Sequence, residues 1–245
     1  MNHYIALTLI AAATPVLAWQ APHTDSPPLI DGIDSDSVWQ AGEWRPIDKP
    51  MVGTLPAADD FSARYKLRWD ERNLYLLVEI TDDVLIDSTP NPLERYWEDD
   101  TLEVFVDADA SGGDHLENHN ALAYHIALDG NVVDIAPPGR ADAKAAPALF
   151  NEHLDSAWSR SASAPFKLIW ELRVSIYTPG SGDANLQRLS LSPGHQLGFM
   201  VGYCDSDSSD GRENLYTDVE IAPINGDRNR GYIDADTFAT LTLIK

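Results

Sequence analysis

Ala63-Arg64-Tyr65-Lys66-Leu67-Arg68-Trp69, then Asp70-Glu71-Arg72-Asn73, then Leu74-Tyr75-Leu76-Leu77-Val78-Glu79-Ile80, is the stretch from which the fold can be read. Tyr65, Leu67 and Trp69 alternate with three cations, and Leu74, Leu76, Val78 and Ile80 alternate again after the polar tetrad. Successive side chains of a strand point to opposite faces, so a period of two marks a strand with one buried face. Two such runs separated by a short polar turn form a hairpin.

The same period recurs along the chain. Leu102, Val104 and Val106 form an apolar face with Glu103 and Phe105 opposite. Leu122, Tyr124, Ile126 and Leu128 alternate with Ala121, Ala123, His125 and Ala127, and the turn Asp129-Gly130-Asn131 leads into Val132 to Ile135. Leu168 to Ile176, Leu197 to Tyr203 and Phe238 to Ile244 repeat the pattern. There is no sustained helical period. Many short strands with turn signals between them predict an all-β fold, an antiparallel β-sandwich with jelly-roll or immunoglobulin-like two-sheet architecture. The Ala- and Pro-rich segment Pro137 to Pro147 reads as a long loop, and no linker divides residues 19–245, which are expected to form one domain.

Met1 to Ala18 has a short apolar core followed by small residues, the pattern of a cleaved signal peptide, with cleavage expected after Ala18. The apolar run is too short for a membrane anchor, so the expected destination is the periplasm or the medium. Cys204 stands alone and excludes an intrachain disulfide; it reads as a small buried residue. A formal charge of −22, with 39 acidic residues against 17 Lys and Arg, excludes a nucleic-acid binder, which needs a basic stripe.

Catalytic signatures are missing. There is no Gly-x-Ser-x-Gly elbow and no phosphate-cradling glycine loop, and the Glu between His115 and His119 is misplaced for a zinc-protease helix. Two acidic loops do carry a pattern. Asp107-Ala-Asp109-Ala-Ser111-Gly-Gly-Asp114 and Asp205-Ser-Asp207-Ser-Ser209-Asp210-Gly211 alternate oxygen donors with small residues, as the opening of a calcium loop does. Structural calcium is therefore expected, with Asp107, Asp109, Ser111 and Asp114 as the first set of ligands.

Trp97-Glu98-Asp99-Asp100-Thr101-Leu102-Glu103-Val104-Phe105-Val106-Asp107 resembles the family 9 carbohydrate-binding modules. Ile30-Asp31-Gly32 with Trp39, the run Leu67 to Leu77, Gly198-Phe199 with the Asp205 loop, and the closing Tyr232 to Lys245 are similar too. The resemblance implies a β-sandwich that binds, without catalysis, the end of a glucan- or xylan-type chain or a small oligosaccharide between two aromatic rings. It assigns the rings to Trp97 and Tyr232 and the polar contacts to Glu103, His125 and Asn229. Tyr232 stands where the family has Trp, His125 where it has Arg, and Gly202 where it has Gln. Such modules accompany xylanases and related glycanases, so a glycan-degrading enzyme is an expected partner. These residue types suit sugar binding, because an aromatic face buries the C–H patch of a pyranose and carboxylates accept strongly from hydroxyls. Two other readings remain open: a haem-binding sandwich with His125 and Met200 as axial candidates, and a glycan-active enzyme.

Overall fold

The hairpin forms as β4 (Phe61–Trp69) and β5 (Asn73–Asp82), with Leu67 opposite Leu76 and Tyr65 opposite Val78. The fold is that of a computed structural model, which describes residues 19–137, 144–179, 186–208 and 210–245. The expected signal segment, residues 1–18, lies outside the described residues. The remaining strands are β1 (Trp19–Pro22), β2 (Arg45–Ile47), β3 (Lys49–Val52), β6 (Thr101–Asp107), β7 (Leu122–Ala127), β8 (Val132–Ala136) and β9 (Ala146–Leu149). After them come β10 (Leu154–Arg160), β11 (Lys167–Ser175), β12 (Gln196–Asp205), β13 (Asn214–Thr217) and β14 (Ala239–Ile244).

They build two sheets. The five-stranded sheet runs β10-β11-β5-β4-β2. The nine-stranded sheet runs β1-β14-β12-β6-β7-β8-β9, with β13 on β12 and β3 on β13. The predicted apolar faces meet between the sheets: Tyr65, Trp69, Leu76 and Trp170 from one side pack with Val104, Tyr124, Phe199 and Leu241 from the other. Burying such faces is the main term that holds a sandwich without disulfides.

Two features depart from the sequence reading. The sheets are not wholly antiparallel, because β1 lies parallel to β14 at the edge of the larger sheet; the long connection between them allows it. The end of the segment expected as a loop, Ala146–Leu149, is the edge strand β9, paired to β8. Pro147 is tolerated there because an edge strand needs only half of its ladder hydrogen bonds.

Residues 24–44 cover the outer face of the smaller sheet. Buried Glu171 on β11 accepts the N–H groups of Asp31 and Gly32 and the indole N–H of Trp39. Gly32 has φ +76, and a Cβ there would stand 2.6 Å from the carbonyl carbon of Trp158. That gives Ile30-Asp31-Gly32 and Trp39 a packing role, and it leaves the outer face of the larger sheet to carry the site.

Candidate functional site

On that outer face Gly202, Glu103, His125 and Val133 stand in one row across β12, β6, β7 and β8. The flanking rungs are Met200, Phe105 and Ala123 on one side, and Cys204, Thr101 and Ala127 on the other. Small residues beside the polar pair leave a hollow. Loops roof it into a cavity of about 330 Å³ lined by Tyr96, Trp97, Glu103, Phe105, His125, Ile135, Arg212, Asn229 and Tyr232. All five residues assigned to sugar contact from the sequence line this one cavity, although they come from four separate segments of chain.

The floor is polar and buried. Glu103 is 2% exposed, so it sits beneath the cavity and not at the open position that its place opposite the core face suggested. Its Oε1 lies 2.9 Å from His125 Nε2, accepts the Cys204 thiol at 2.9 Å, and is 4.0 Å from Arg212 Nη1. His125 Nδ1 faces the Ala123 carbonyl oxygen at 3.2 Å. Each ring nitrogen thus meets an acceptor, which calls for imidazolium. Burial opposes the charged forms of both groups. Their mutual attraction outweighs it, raising His125 above its usual pKa and lowering Glu103 below its own. Burial pushes the Cys204 thiol up well beyond its usual range, so it stays a neutral donor to Glu103.

The walls are aromatic. Trp97 and Tyr232 are 38% and 39% exposed, unlike the core aromatics. Tyr96 meets both Trp97 and His125 edge-on, with ring centroids 4.9 and 4.7 Å apart. The Trp97 indole N–H donates to Glu98 Oε1 at 3.0 Å. Tyr232 is carried by a segment that lies close on the sheet: a Cβ on Gly231 would approach Met200 Cε to 2.6 Å. His115 Nε2 bonds the Gly231 carbonyl oxygen at 2.9 Å, and its backbone N–H donates to Ile233. Asn229 is fixed through its own N–H, which donates to Asp227 Oδ1 at 2.8 Å.

Sequence reasoning missed Tyr96, Ile135 and Arg212. Phe105 was legible as a residue opposite the core face of β6; Arg212 left no signal, because a loop delivers it. Met200, the second axial candidate of the haem reading, is fully buried under Phe105 and Gly231 and does not line the cavity with His125.

The acidic loops behave differently from one another. In the first, Asp107 accepts the N–H groups of Asp109 and Gly112, and Asp109 accepts that of Ser111, so these carboxylates cap the loop's own backbone. The backbone of Asp114 pairs antiparallel with that of Asp234, close to the Tyr232 segment. The second loop supplies Asp205 to a buried trio with Asp82 and Asp100, and Asp207 to a more exposed trio with Asp60 and Asp83. Within each trio the ligand oxygens lie within 4.8 Å of one another. Burial first, with a neighbouring carboxylate adding to it, raises Asp100 to about 9, Asp205 to about 7 and Asp82 to about 6. These are the described residues best placed to hold a hard cation. Among the described residues, no helix is long and apolar enough to cross a membrane.

Comparison with known proteins agrees with this fold. The family described as "Carbohydrate family 9 binding domain-like" matches residues 30–245. Endo-1,4-beta-xylanase A of Thermotoga neapolitana is 26% identical over 218 residues, 89% of this chain. Exoglucanase XynX of Acetivibrio thermocellus is 32% identical over 104 residues, 42% of this chain. The matched regions span only 17% and 8% of the length of those two relatives. Two structures of a family 9 carbohydrate-binding module from Caldicellulosiruptor kristjanssonii share the fold, each with a TM-score of 0.63. The cellotriose complex is 18% identical, covering 92% of this chain and 93% of its own; the glucose complex is 17% identical, covering 91% and 95%.

Proposed function

Because this chain belongs to the carbohydrate family 9 binding domain-like family, a family of non-catalytic sugar-binding modules, we propose that its cavity holds one sugar ring between Trp97 and Tyr232. Glu103, His125 and Asn229 supply the polar contacts. The ligand class is the end of a glucan- or xylan-type chain, or a small oligosaccharide; the xylanase and exoglucanase relatives, and the neighbours bound to cellotriose and glucose, are in keeping with it. The observation that carries the reading is the pair of half-exposed rings above a buried, charge-paired floor in one cavity. Rings in a free protein that are open to water exchange that water for sugar C–H groups on binding.

A mono- to disaccharide of about 12 to 23 heavy atoms gains about 4 to 7 kcal/mol at roughly 0.3 kcal/mol per atom, which is millimolar to about ten micromolar affinity. Calorimetry across a panel of mono- and disaccharides tests it. No saturable binding below tens of millimolar sinks the proposal.

Three further readings belong with it. Calcium steadies the fold at one of the two acidic loops. The leader Met1 to Ala18 exports the chain. A glycan-degrading enzyme is the partner that sugar binding would serve, in keeping with relatives in which the matched region is a small part of an enzyme.

A further inference from the structure

Three charged side chains line the cavity, one anion against two cations. Glu103 and His125 neutralise one another across 2.9 Å. Arg212 shares that one carboxylate only at longer range. Its side chain is 12% exposed, and its described side-chain hydrogen bond runs from Nη1 to the Cys204 sulfur at 3.3 Å, a weak acceptor. The nearest Glu103 oxygen is 4.0 Å away, beyond hydrogen-bond reach. Glu98 stands close by, but one of its oxygens takes the Arg212 backbone N–H and the other the Trp97 indole. Among the described residues, no carboxylate hydrogen-bonds this guanidinium. A guanidinium carries five donors in a planar fork that matches a carboxylate, and burying it without a bonded counter-charge is costly.

We propose that Arg212 is a ligand-contacting residue whose guanidinium receives the carboxylate of a hexuronic acid, so that the cavity selects sugars bearing an acidic group over their neutral counterparts. The inference rests on the ring clamp proposed above. A pyranose held by its C–H face between Trp97 and Tyr232 projects its C5 substituent sideways, toward the cavity edge. A carboxylate there supplies the hydrogen-bonded counter-charge that Arg212 lacks, since Glu103 reaches it only at 4.0 Å and is bonded to His125. An overall charge of −22 works against anions at long range, but that field is largely screened beyond about 8 Å at physiological salt, and the buried contact is not.

The test is calorimetry at pH 7 and physiological salt with methyl β-D-glucuronide against methyl β-D-glucoside, and with the galacturonide against the galactoside. A charge-assisted contact should favour a uronide by about tenfold or more. Arg212→Gln should erase the difference, and Arg212→Lys, which keeps the charge but not the fork, should keep part of it. Melting temperatures report whether each variant is folded, and the wild-type comparison stands without them. Neutral glycosides binding as well as the uronides, or a preference that persists in folded Arg212→Gln, overturns the inference and leaves the clamp standing. Binding of neither sugar type sinks the clamp reading, and the inference with it.

Discussion

His125 Nε2 and Glu103 Oε1 stand 2.9 Å apart on paired positions of adjacent strands, beneath the cavity. The pair makes folding stability depend on pH. The pKa of His125 is raised above 6.5 in the folded protein, so its contribution is complete below that value and is lost as pH rises through the raised one. Asp134 and Asp218 are moved by burial from 3.8 to about 6 and about 7, so they too hold protons that the unfolded chain has released. Their contribution is complete below 3.8 and is lost as pH rises toward 7. Glu103, lowered below 4.5, acts in the opposite sense only under that value. Between pH 5 and 8 these shifts point one way, opposed by His115, which burial lowers below 6.5, and the melting temperature should fall as pH rises, most clearly above 6.5. Thermal melts at pH 5, 6.5 and 8 check it; a flat or rising profile contradicts the assignment.

Glu103 should be costly to remove. Glu103→Ala leaves a buried imidazolium and a thiol without their shared acceptor and removes the carboxylate nearest the Arg212 guanidinium, and breaking a buried ion pair costs about 3 to 5 kcal/mol. Glu103→Gln keeps the shape and one acceptor oxygen, so it should cost less while bringing the His125 pKa down. Chemical denaturation of both variants, with NMR titration of His125, measures this. Equal stability of wild type and Glu103→Ala would show that the floor is not held by this residue.

The rings should separate binding from folding. Trp97→Ala and Tyr232→Ala each remove a half-exposed aromatic face, so each should cost about 1 to 3 kcal/mol of sugar affinity. The stability loss should stay well below the about 3 to 5 kcal/mol of a core aromatic deletion. Tyr232→Trp should preserve or strengthen binding. If both Ala variants unfold readily while the residual folded protein binds sugar normally, the rings are structural.

What the sequence revealed of this site, and what it hid, follows from how each residue is placed. Glu103, Phe105 and His125 are legible because they sit on strands, where the pleat alone says which residues leave the core. Trp97, in the loop ahead of β6, comes from the resemblance and from no period. The resemblance pointed to Asn229 and Tyr232, which no periodicity marks; they reach the cavity because His115 and Gly231 hold their segment on the sheet. Arg212 arrives through a loop, and a side chain carried by a loop leaves no period to read. The burial of Glu103 was hidden for a related reason: the segments that cover it are loops.

Calcium should act through one loop and not the other. An ion that binds only the folded state, at about a hundredfold over its dissociation constant, stabilises by about 2.7 kcal/mol. Asp205→Asn disrupts the buried trio with Asp82 and Asp100, whereas Asp109→Ala alters the loop whose carboxylates cap their own amides. Melts with calcium and with chelator should show a shift in wild type. Loss of the shift in Asp205→Asn alone places the ion at the trio, and loss in Asp109→Ala alone places it in the first loop. No shift in the wild type rejects calcium altogether.

Glu98 links the aromatic clamp to the loop that carries Arg212. Its Oε1 accepts the Trp97 indole N–H and its Oε2 the Arg212 backbone N–H, each at 3.0 Å. Gly211, with φ +116, fits beside it only because it has no Cβ: one would stand 2.1 Å from Oε2. A single carboxylate thus orients one wall of the clamp and seats the guanidinium. Glu98→Ala frees both at once, and at about 0.5 to 1.5 kcal/mol per hydrogen bond it should weaken sugar binding by about 1 to 3 kcal/mol. Folding should change less, since Trp97 and Arg212 lie outside the main core. Glu98→Gln retains one acceptor oxygen, so it should fall between wild type and Glu98→Ala. Gly211→Ala should weaken binding by a different route, because its Cβ pushes the carboxylate away and the backbone there disfavours a side chain. The decisive measurement is sugar affinity for the three variants beside their melting temperatures. If Glu98→Ala binds as tightly as wild type, the two hydrogen bonds do not position the clamp, and Trp97 is held by its contact with Tyr96 instead.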